Sequence, residues 1–432
     1  MFAPALSRWL GRHGIHYAWV VAGVAFLTML MSAAALGLPG ALLQPLSREF
    51  GWSLAEVTSA LAVRFALFGL IAPFAAVFMQ RWGLPRIVPA ALVLVGAGLL
   101  LATRMQSLWQ LLALWGVVLG LGSGLMALVL GATVANQWFE RRRGLVLGAL
   151  TASNATGQLV FLPMAAWLAQ HYGWRYAVLP AAALCLVVLV LAVLLLRHAP
   201  EDLGLRPYGA SEGQRAAPLP VRRFDLLEPL RALAEAAGRP MFWLLAGTFF
   251  ICGLSTNGLV QTHFISLCGD YGLGPVPAAS LLATVGAFDF IGTLASGWLS
   301  DRYDNRRLLA WYYGLRGLSL IWLPQSGFTL PGLSAFAMFY GLDWVATVPP
   351  TVKLASAAFD RTRAATIFGW IFASHQLGGA IAAYGGGLSR TVLLSYSPAL
   401  YAAGLACLGA ALAMAVAGRQ RPIGAVVAGR SA

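Results

Sequence analysis

Long apolar runs, each of a length that can cross a membrane and parted from the next by a short burst of charge, most limit what this chain can become. A bilayer core takes about 20 residues of helix to cross. Twelve such runs fall near 16–43, 53–79, 87–103, 108–138, 144–169, 175–197, 241–267, 276–300, 308–324, 329–356, 364–388 and 397–418. Only 10% of the 432 residues are charged, against 59% hydrophobic, which excludes a soluble globule. A membrane barrel would alternate polar and apolar positions in segments of about ten, and these runs do not. The first run follows Arg8 and Arg12 but is too long for a signal peptide and lacks a convincing cleavage site. It counts as the first helix. The expectation is an all-α polytopic membrane protein with twelve transmembrane helices.

Basic residues orient those helices. With the N-terminus inside, 22 of the 29 Lys+Arg fall in cytoplasmic segments. Arg48, Arg104, Arg175 and Arg390 lie outside, and Arg64, Arg316 and Lys353 lie within spans. Discounting the six arginines between 206 and 239, the ratio is still 16 to 4. Both termini are therefore expected on the cytoplasmic side of the cell's inner membrane. The net charge of +14 reads as topology and contact with anionic lipid heads, not as nucleic-acid binding. Cys185, Cys252, Cys268 and Cys407 are scattered without metal-ligand spacing and read as packing residues.

The loop Gly297-Trp-Leu-Ser-Asp-Arg-Tyr-Asp-Asn-Arg-Arg307 sets five charges between two apolar stretches. A degraded copy stands 221 positions earlier, Gln80-Arg81-Trp82-Gly83-Leu84-Pro85-Arg86, with Gln80 where the later copy has Asp301. Phe50-Gly51 recurs as Tyr271-Gly272 at 221, Phe139-Glu-Arg-Arg-Arg143 as Phe359-Asp-Arg-Thr-Arg363 at 220, and Ser153-Asn154 as Ser374-His375 at 221. Such echoes imply two six-helix halves, 1–197 and 241–432, joined by a linker, 198–240. The loop resembles the signature of the major facilitator superfamily of secondary transporters, Gly-x-Leu-x-Asp-Arg-x-x-x-Arg-Arg. The resemblance implies two pseudo-symmetric bundles around a mid-membrane site, alternating access, a small-molecule substrate, a monomer and no cofactor.

Within the first half, Glu49-Phe-Gly-Trp-Ser53, Trp138-Phe-Glu-Arg-Arg-Arg-Gly144 with Gly148, and Tyr172-Gly-Trp-Arg175 resemble the monocarboxylate-transporter-like branch. That branch moves small organic acid anions, often with a proton. The second half departs from it. Asp289 matches the branch's eighth-helix Asp, but the Arg one turn on is Thr293, and the first helix has no lysine.

Charges inside spans are costly and mark function or a paired network. The repeat maps Asp289 onto position 68, one turn from Arg64, so both are expected to face the cavity between the halves, Arg64 as anion ligand and Asp289 as proton site. A structural ion pair or a snorkelling Arg64 satisfies the same charges. Asn154, Gln158, His375 and Gln376 are placed near mid-depth as substrate ligands. His375 is also a second proton candidate, with a neutral packed histidine as the plain alternative. Asn257, Gln261 and His263 are placed toward the outer half of the seventh helix, lining an outer vestibule, with Asn257 and Gln261 as further substrate ligands. Arg316 and Asp343 fall in the ninth and tenth spans, and Arg316 reads as part of a structural charge network. Gly116, Gly120 and Gly124 form a small-residue ridge. The Gly385–Gly387 run and Pro349-Pro350 mark hinges or packing solutions.

The gate is assigned to Gln80, Arg81, Gly83, Arg86, Arg141, Arg143, Gly297, Asp301, Arg302, Arg306 and Arg307. In it Asp301 braces the eighth helix against Arg141–Arg143, and small Gly297 and Ser300 admit a neighbouring helix. In the linker, Phe224, Leu227, Leu230, Leu233 and Ala237 recur at helical spacing. They form an amphipathic helix lying on the inner membrane surface, or one packed under the bundle. No His-Glu-x-x-His, paired Cys or Gly-x-x-x-x-Gly-Lys occurs, so neither a membrane enzyme nor a P-loop pump is expected. A channel or a transporter-like sensor keeps the same helices.

Overall fold

The computed structural model describes residues 2–126, 128–210, 225–360 and 363–417, without the side chains of Phe2, Leu128, Asn154, Ala155, Thr156, Gln158 and Leu159. It is helical, with no named strand among the described residues. The twelve spans, numbered in order, are Ala18–Phe50, Leu54–Trp82, Leu84–Ala102, Leu108–Trp138, Arg143–His171, Trp174–Leu195, Pro240–Asp270, Pro275–Ser300, Asn305–Trp322, Leu330–Asp343 with Val348–Ala358, Ala364–Val392 and Ser397–Val416. Span 10 alone is written in two pieces because its helix is broken. A further helix, Phe2–Arg12, lies against span 6. One face of the molecule carries both ends of the described chain and the loops rich in arginine. It is called the basic face below.

Local chemistry sets the ends of the spans. Gly51 (φ 69°) and Gly272 (φ 83°) turn the chain out of spans 1 and 7 at matched positions, in left-handed geometry that favours glycine. Ser53 and Glu56 form a reciprocal cap on span 2, with the Ser53 N–H donating to Glu56 Oε2 (2.8 Å) and the Glu56 N–H to Ser53 Oγ (3.2 Å). Asp304 Oδ1 accepts from the N–H groups of Arg306 (2.8 Å) and Arg307 (3.3 Å), capping span 9.

Close helix packing uses the glycines. A Cβ on Gly116 would lie 3.1 Å from Val63, and one on Gly120 would lie 3.0 Å from the Arg64 carbonyl, so the ridge of span 4 holds span 2 at backbone distance. The halves meet through spans 1 and 7, 2 and 11, and 5 and 8. A Cβ on Gly40 would sit 2.6 Å from the Gln261 carbonyl, and one on Gly69 2.6 Å from Gln376 Cβ. Gly387 lies against Leu54 and Thr58, and Gly386 against His263, so this pair packs the face opposite the basic one.

One open alternative is decided and one expectation changes. The linker helix Glu228–Ala237 packs beneath the second half, burying Ala232 and Ala236, with the Trp370 indole donating to the Pro229 carbonyl (2.8 Å) and Arg363 paired to Glu235. Leu227 and Leu230 stay exposed, and Phe224 lies outside the described residues. A small face docks on protein, and the large apolar side chains are left out. Gly297, expected to admit a neighbour, has nothing within 4 Å of where a Cβ would sit. Gly292, five residues earlier, is the one in backbone contact, with its missing Cβ directed onto the Leu342 carbonyl.

This contrast is testable. Gly292→Ala should destabilise the detergent-solubilised protein by about 1–3 kcal/mol, the usual cost of overpacking. Gly297→Ala should change the thermal midpoint little. Equal shifts for the two would contradict the assigned contact.

Candidate functional site

The break in span 10 organises the second half. Proline lacks an N–H and cannot continue the i to i−4 ladder, and Pro349-Pro350 stand just after the interruption. The Trp344 N–H turns back to Gly341 (3.0 Å) and the Val348 N–H to Val345 (2.9 Å), which strands an N–H and several carbonyls inside the bundle. Each finds a side chain. Asp289 Oδ1 accepts from the Val345 N–H (2.9 Å) and from Thr293 Oγ1 (2.9 Å). Ser296 Oγ donates to the Ala346 carbonyl, released by Pro350 (2.5 Å). Arg316 Nη2 donates to the carbonyls of Asp343 (2.5 Å) and Trp344 (3.2 Å), its Nε to Asp343 Oδ2 (2.6 Å), and its Nη1 to Cys252 Sγ (2.8 Å). Arg316 stands in a structural network, as the sequence suggests, and the structure supplies Asp343 as its partner. The parts played by Ser296 and Cys252 were not foreseen, and the adjacent prolines were the only signal for them.

Arg64 does parallel work in the first half. It is 2% exposed. Pro39 releases the carbonyl of Ala35, and Arg64 Nη1 donates to it (3.3 Å) while Nη2 donates to Leu36 (3.2 Å). The guanidinium also lies over Phe65, 5.0 Å from the ring centre. Its Nε has no partner among the described residues. Arg64 and Asp289 do not pair: one is turned to span 1, the other to the break in span 10. The spans of the first half contain no Asp or Glu apart from Glu49 and Glu56 at their ends, and among the described residues no carboxylate pairs with Arg64.

The other expected ligands separate. Gln376 is buried at the contact of spans 2 and 11, its Oε1 without a donor among the described residues. His375 Nδ1 lies 3.2 Å from the Phe249 carbonyl, and its ring packs on Phe249 (4.7 Å between centres), the arrangement of a satisfied core histidine. Asn257 and Gln261 fall on a π-helical stretch of span 7, Leu254–Gln261, and their side-chain amides find no hydrogen-bond partner among the described residues. His263 Nε2 meets the Ala383 carbonyl at 2.8 Å. The side chains of Asn154 and Gln158, on span 5, lie outside the described residues.

At the basic face, Asp301 pairs with Lys353, in the second piece of span 10, and not with Arg141–Arg143. Lys353 lies within a span, as expected, and its ammonium reaches the end of span 8. Its hydrogen bond and its charge hold the Asp301 carboxyl below the usual carboxylate range. The pair therefore persists at neutral pH and is lost as pH falls through that lowered value. Arg143 Nε donates to the Phe139 carbonyl (3.0 Å), Arg302 lies over Trp298 (4.1 Å) and Arg306 Nη1 reaches the Ala417 carbonyl (3.0 Å). Gln80, Arg81, Arg86, Arg141 and Arg307 are exposed, and Gly83 (φ 79°) turns the loop between spans 2 and 3.

The family model of the Major Facilitator Superfamily matches residues 24–383. The chain belongs to that superfamily. It is a multi-pass membrane transporter, not an enzyme. It is similar to the MFS-type transporter YcxA of Bacillus subtilis, 25% identical over 80% of this chain and 81% of that one. It is similar also to monocarboxylate transporter 13 of Bos taurus, 26% identical over 90% and 86%, and to monocarboxylate transporter 11 of Mus musculus, 28% over 76% and 71%. Among solved structures, a bacterial homolog of the human lysosomal transporter Spinster, in an inward-facing conformation, superposes with a TM-score of 0.67 at 16% identity, covering 93% of this chain and 95% of that one.

The short motifs shared with the monocarboxylate-transporter-like branch clasp one another in this transporter. Glu49 accepts from the Trp174 indole (2.7 Å) and from Arg175 Nη1 (2.5 Å), Arg175 Nε donates to the Thr103 carbonyl (3.0 Å), and Phe50 stacks on Trp52 (4.3 Å). In the second half Asp270, 221 positions after Glu49, takes a two-pronged bond from Arg390 (2.7 and 3.0 Å). The loop Trp138–Arg141 is strapped by the start of the linker: the Tyr208 N–H donates to Trp138 (2.8 Å), and its carbonyl accepts from Glu140 (3.0 Å) and Arg141 (3.1 Å).

Lys353→Gln should lower initial uptake in proteoliposomes as much as Asp301→Asn, and the exchanged pair Asp301→Lys with Lys353→Asp should recover most of the loss. If Arg143→Gln matches Asp301→Asn while Lys353→Gln does not, the working partner lies across the halves.

Proposed function

We propose that the protein carries a small organic anion of the monocarboxylate type together with a proton. It would do so across the cytoplasmic membrane, with the basic face and both termini in the cytoplasm and residues 1–197 and 241–432 rocking about the linker. The observation that carries the reading is the buried Arg64 guanidinium, which among the described residues keeps one unpartnered N–H and has no counter-ion. A buried charge left alone costs several kcal/mol, and a carboxylate entering beside it removes that cost. Phe65, Phe68 and Leu61 line the same part of span 2 with apolar surface, which suits a short acid better than a sugar. The names of the monocarboxylate-transporter relatives point the same way. Gln376, Asn257 and Gln261 are the remaining polar ligands in this reading, and Asp289 takes the proton. Contacts of Gly40 with Gln261 and of Gly387 with span 2 correspond to a state closed on the outer side.

A second reading rests on the hold of Arg64 on the Ala35 carbonyl. In it the arginine only mends the bend at Pro39, and the substrate is neutral or zwitterionic. Counterflow with labelled short monocarboxylates, dicarboxylates, sugars and amines separates the two. The anion reading expects monocarboxylates to exchange best, and Arg64→Lys to weaken their binding roughly ten- to a hundredfold, since a lysine lacks the planar fork. A neutral ligand that exchanges best, with affinity untouched by the substitution, decides for the second reading.

Proton coupling has its own measurement. Asp289→Asn should abolish accumulation driven by an acid exterior and keep substrate exchange. Accumulation that survives places the proton elsewhere.

A further inference from the structure

The break in span 10 gathers charges that do not balance. Asp289 from span 8, Arg316 from span 9 and Asp343 at the end of the first piece of span 10 are 8%, 1% and 6% exposed. Two carboxylates therefore share one guanidinium. The other titratable groups around them are Tyr340 on span 10, Tyr312 and Tyr313 on span 9, Cys252 on span 7, His375 on span 11 and Cys407 on span 12. No second Lys or Arg is among these groups.

The hydrogen bonds show where the imbalance sits. Arg316 takes Oδ2 and the main-chain carbonyl of Asp343, while Asp343 Oδ1 is fully buried and accepts nothing among the described residues. Asp289 receives both of its hydrogen bonds on Oδ1, from Thr293 and from Val345, two residues beyond Asp343. The carboxylates thus hold adjoining parts of one unwound turn. A buried carboxylate oxygen without a donor is expensive, and so is an excess negative charge in hydrocarbon. One added proton removes both costs, taking the cluster from a net charge of −1 to 0.

We propose that one proton is bound jointly by Asp289 and Asp343, which makes Asp343 a second residue of the proton site, and that the broken turn of span 10 brings the two together. The pair titrates as a unit, so the proton belongs to neither carboxyl alone. Loss of the proton returns a charge to groups that hold the Val345 N–H and, through Arg316, the Asp343 and Trp344 carbonyls. The charge state of the site is thereby tied to the geometry of span 10. This deepens the symport reading and rests on it for its purpose, but the test needs no substrate.

Infrared difference spectra of the purified full-length protein, taken across a pH titration, read the C=O stretch of a protonated carboxyl directly. Wild type should show one buried carboxyl that loses its proton as pH rises. Asp289→Asn and Asp343→Asn should each show none, because one carboxylate against Arg316 is already neutral. The double variant Arg316→Gln with Asp343→Asn should regain the band, because Asp289 then has no cation. A band that persists in either single variant overturns joint binding, so Asp289→Asn decides the matter even if Asp343→Asn fails to fold. A wild type with no titrating carboxyl overturns it too, and moves the proton to His375 or to no side chain. If the spectra behave as expected but no anion is exchanged in counterflow, the symport reading fails and the proton site stands.

Discussion

A carbonyl released from a helix inside a bilayer finds no water, and the structure depends on what replaces it. Pro39 releases Ala35 in span 1, and the broken turn before Pro349-Pro350 releases a group of carbonyls in span 10. In both places the replacement is an arginine from a neighbouring helix, Arg64 from span 2 and Arg316 from span 9. Guanidinium suits the task because its donors lie in a rigid plane and its charge is not easily lost. A lysine would bring one point charge to several acceptors. The two bends that a rocking transporter can use are thus held by charge, where a hydroxyl or an amide would hold them more weakly.

The two arginines are used to different degrees. Arg316 commits Nε, Nη1 and Nη2 to a carboxylate, a thiol and two carbonyls, and has little left to offer. Arg64 commits two nitrogens to weaker, longer bonds, and its Nε has no partner among the described residues. The depth of these charges and their pseudo-symmetric halves do not separate their roles. What separates them is the acid next door, Asp343 for Arg316 and none for Arg64. Gly120 adds a constraint of its own, since its missing Cβ lets span 4 press on the backbone of Arg64 and fix that turn of span 2.

The fold was legible because its determinants are local or periodic. Span lengths, the Gly51 and Gly272 turns, the offset of 221 and the glycine ridge of span 4 can all be read along the chain. Pairings across space were not legible. The charge of Asp301 stands in a recognisable loop, yet its partner depends on the course of the second piece of span 10, which the break sets. Gly292 and Gly297 are alike in sequence, but five residues turn a helix by more than a third of a circle, and one of them meets backbone while the other meets nothing. The linker helix shows the same limit. Its leucines mark an apolar stripe, but a stripe does not say whether protein or lipid covers it, and the docked surface is the one with Ala232 and Ala236.

The arrangement of charge also bears on why coupling would be tight. At mid-depth the first half carries an uncompensated positive group, Arg64, and the second half carries two carboxylates against one guanidinium. Each half alone is out of balance by one charge, with opposite signs. An anion taken up without a proton would neutralise Arg64 and leave the cluster at span 10 negative. A proton taken up without the anion would do the reverse. Each half-loaded state keeps one buried charge whose desolvation costs several kcal/mol even after relaxation. Only the doubly loaded and the empty states have a net charge of zero across the two halves. In the empty state Arg64 and the acidic cluster keep their charges within separate bundles, where they do not pair. Closing the halves around both ligands is then easier than closing them around either one, and that difference is the physical content of symport in the proposed mechanism.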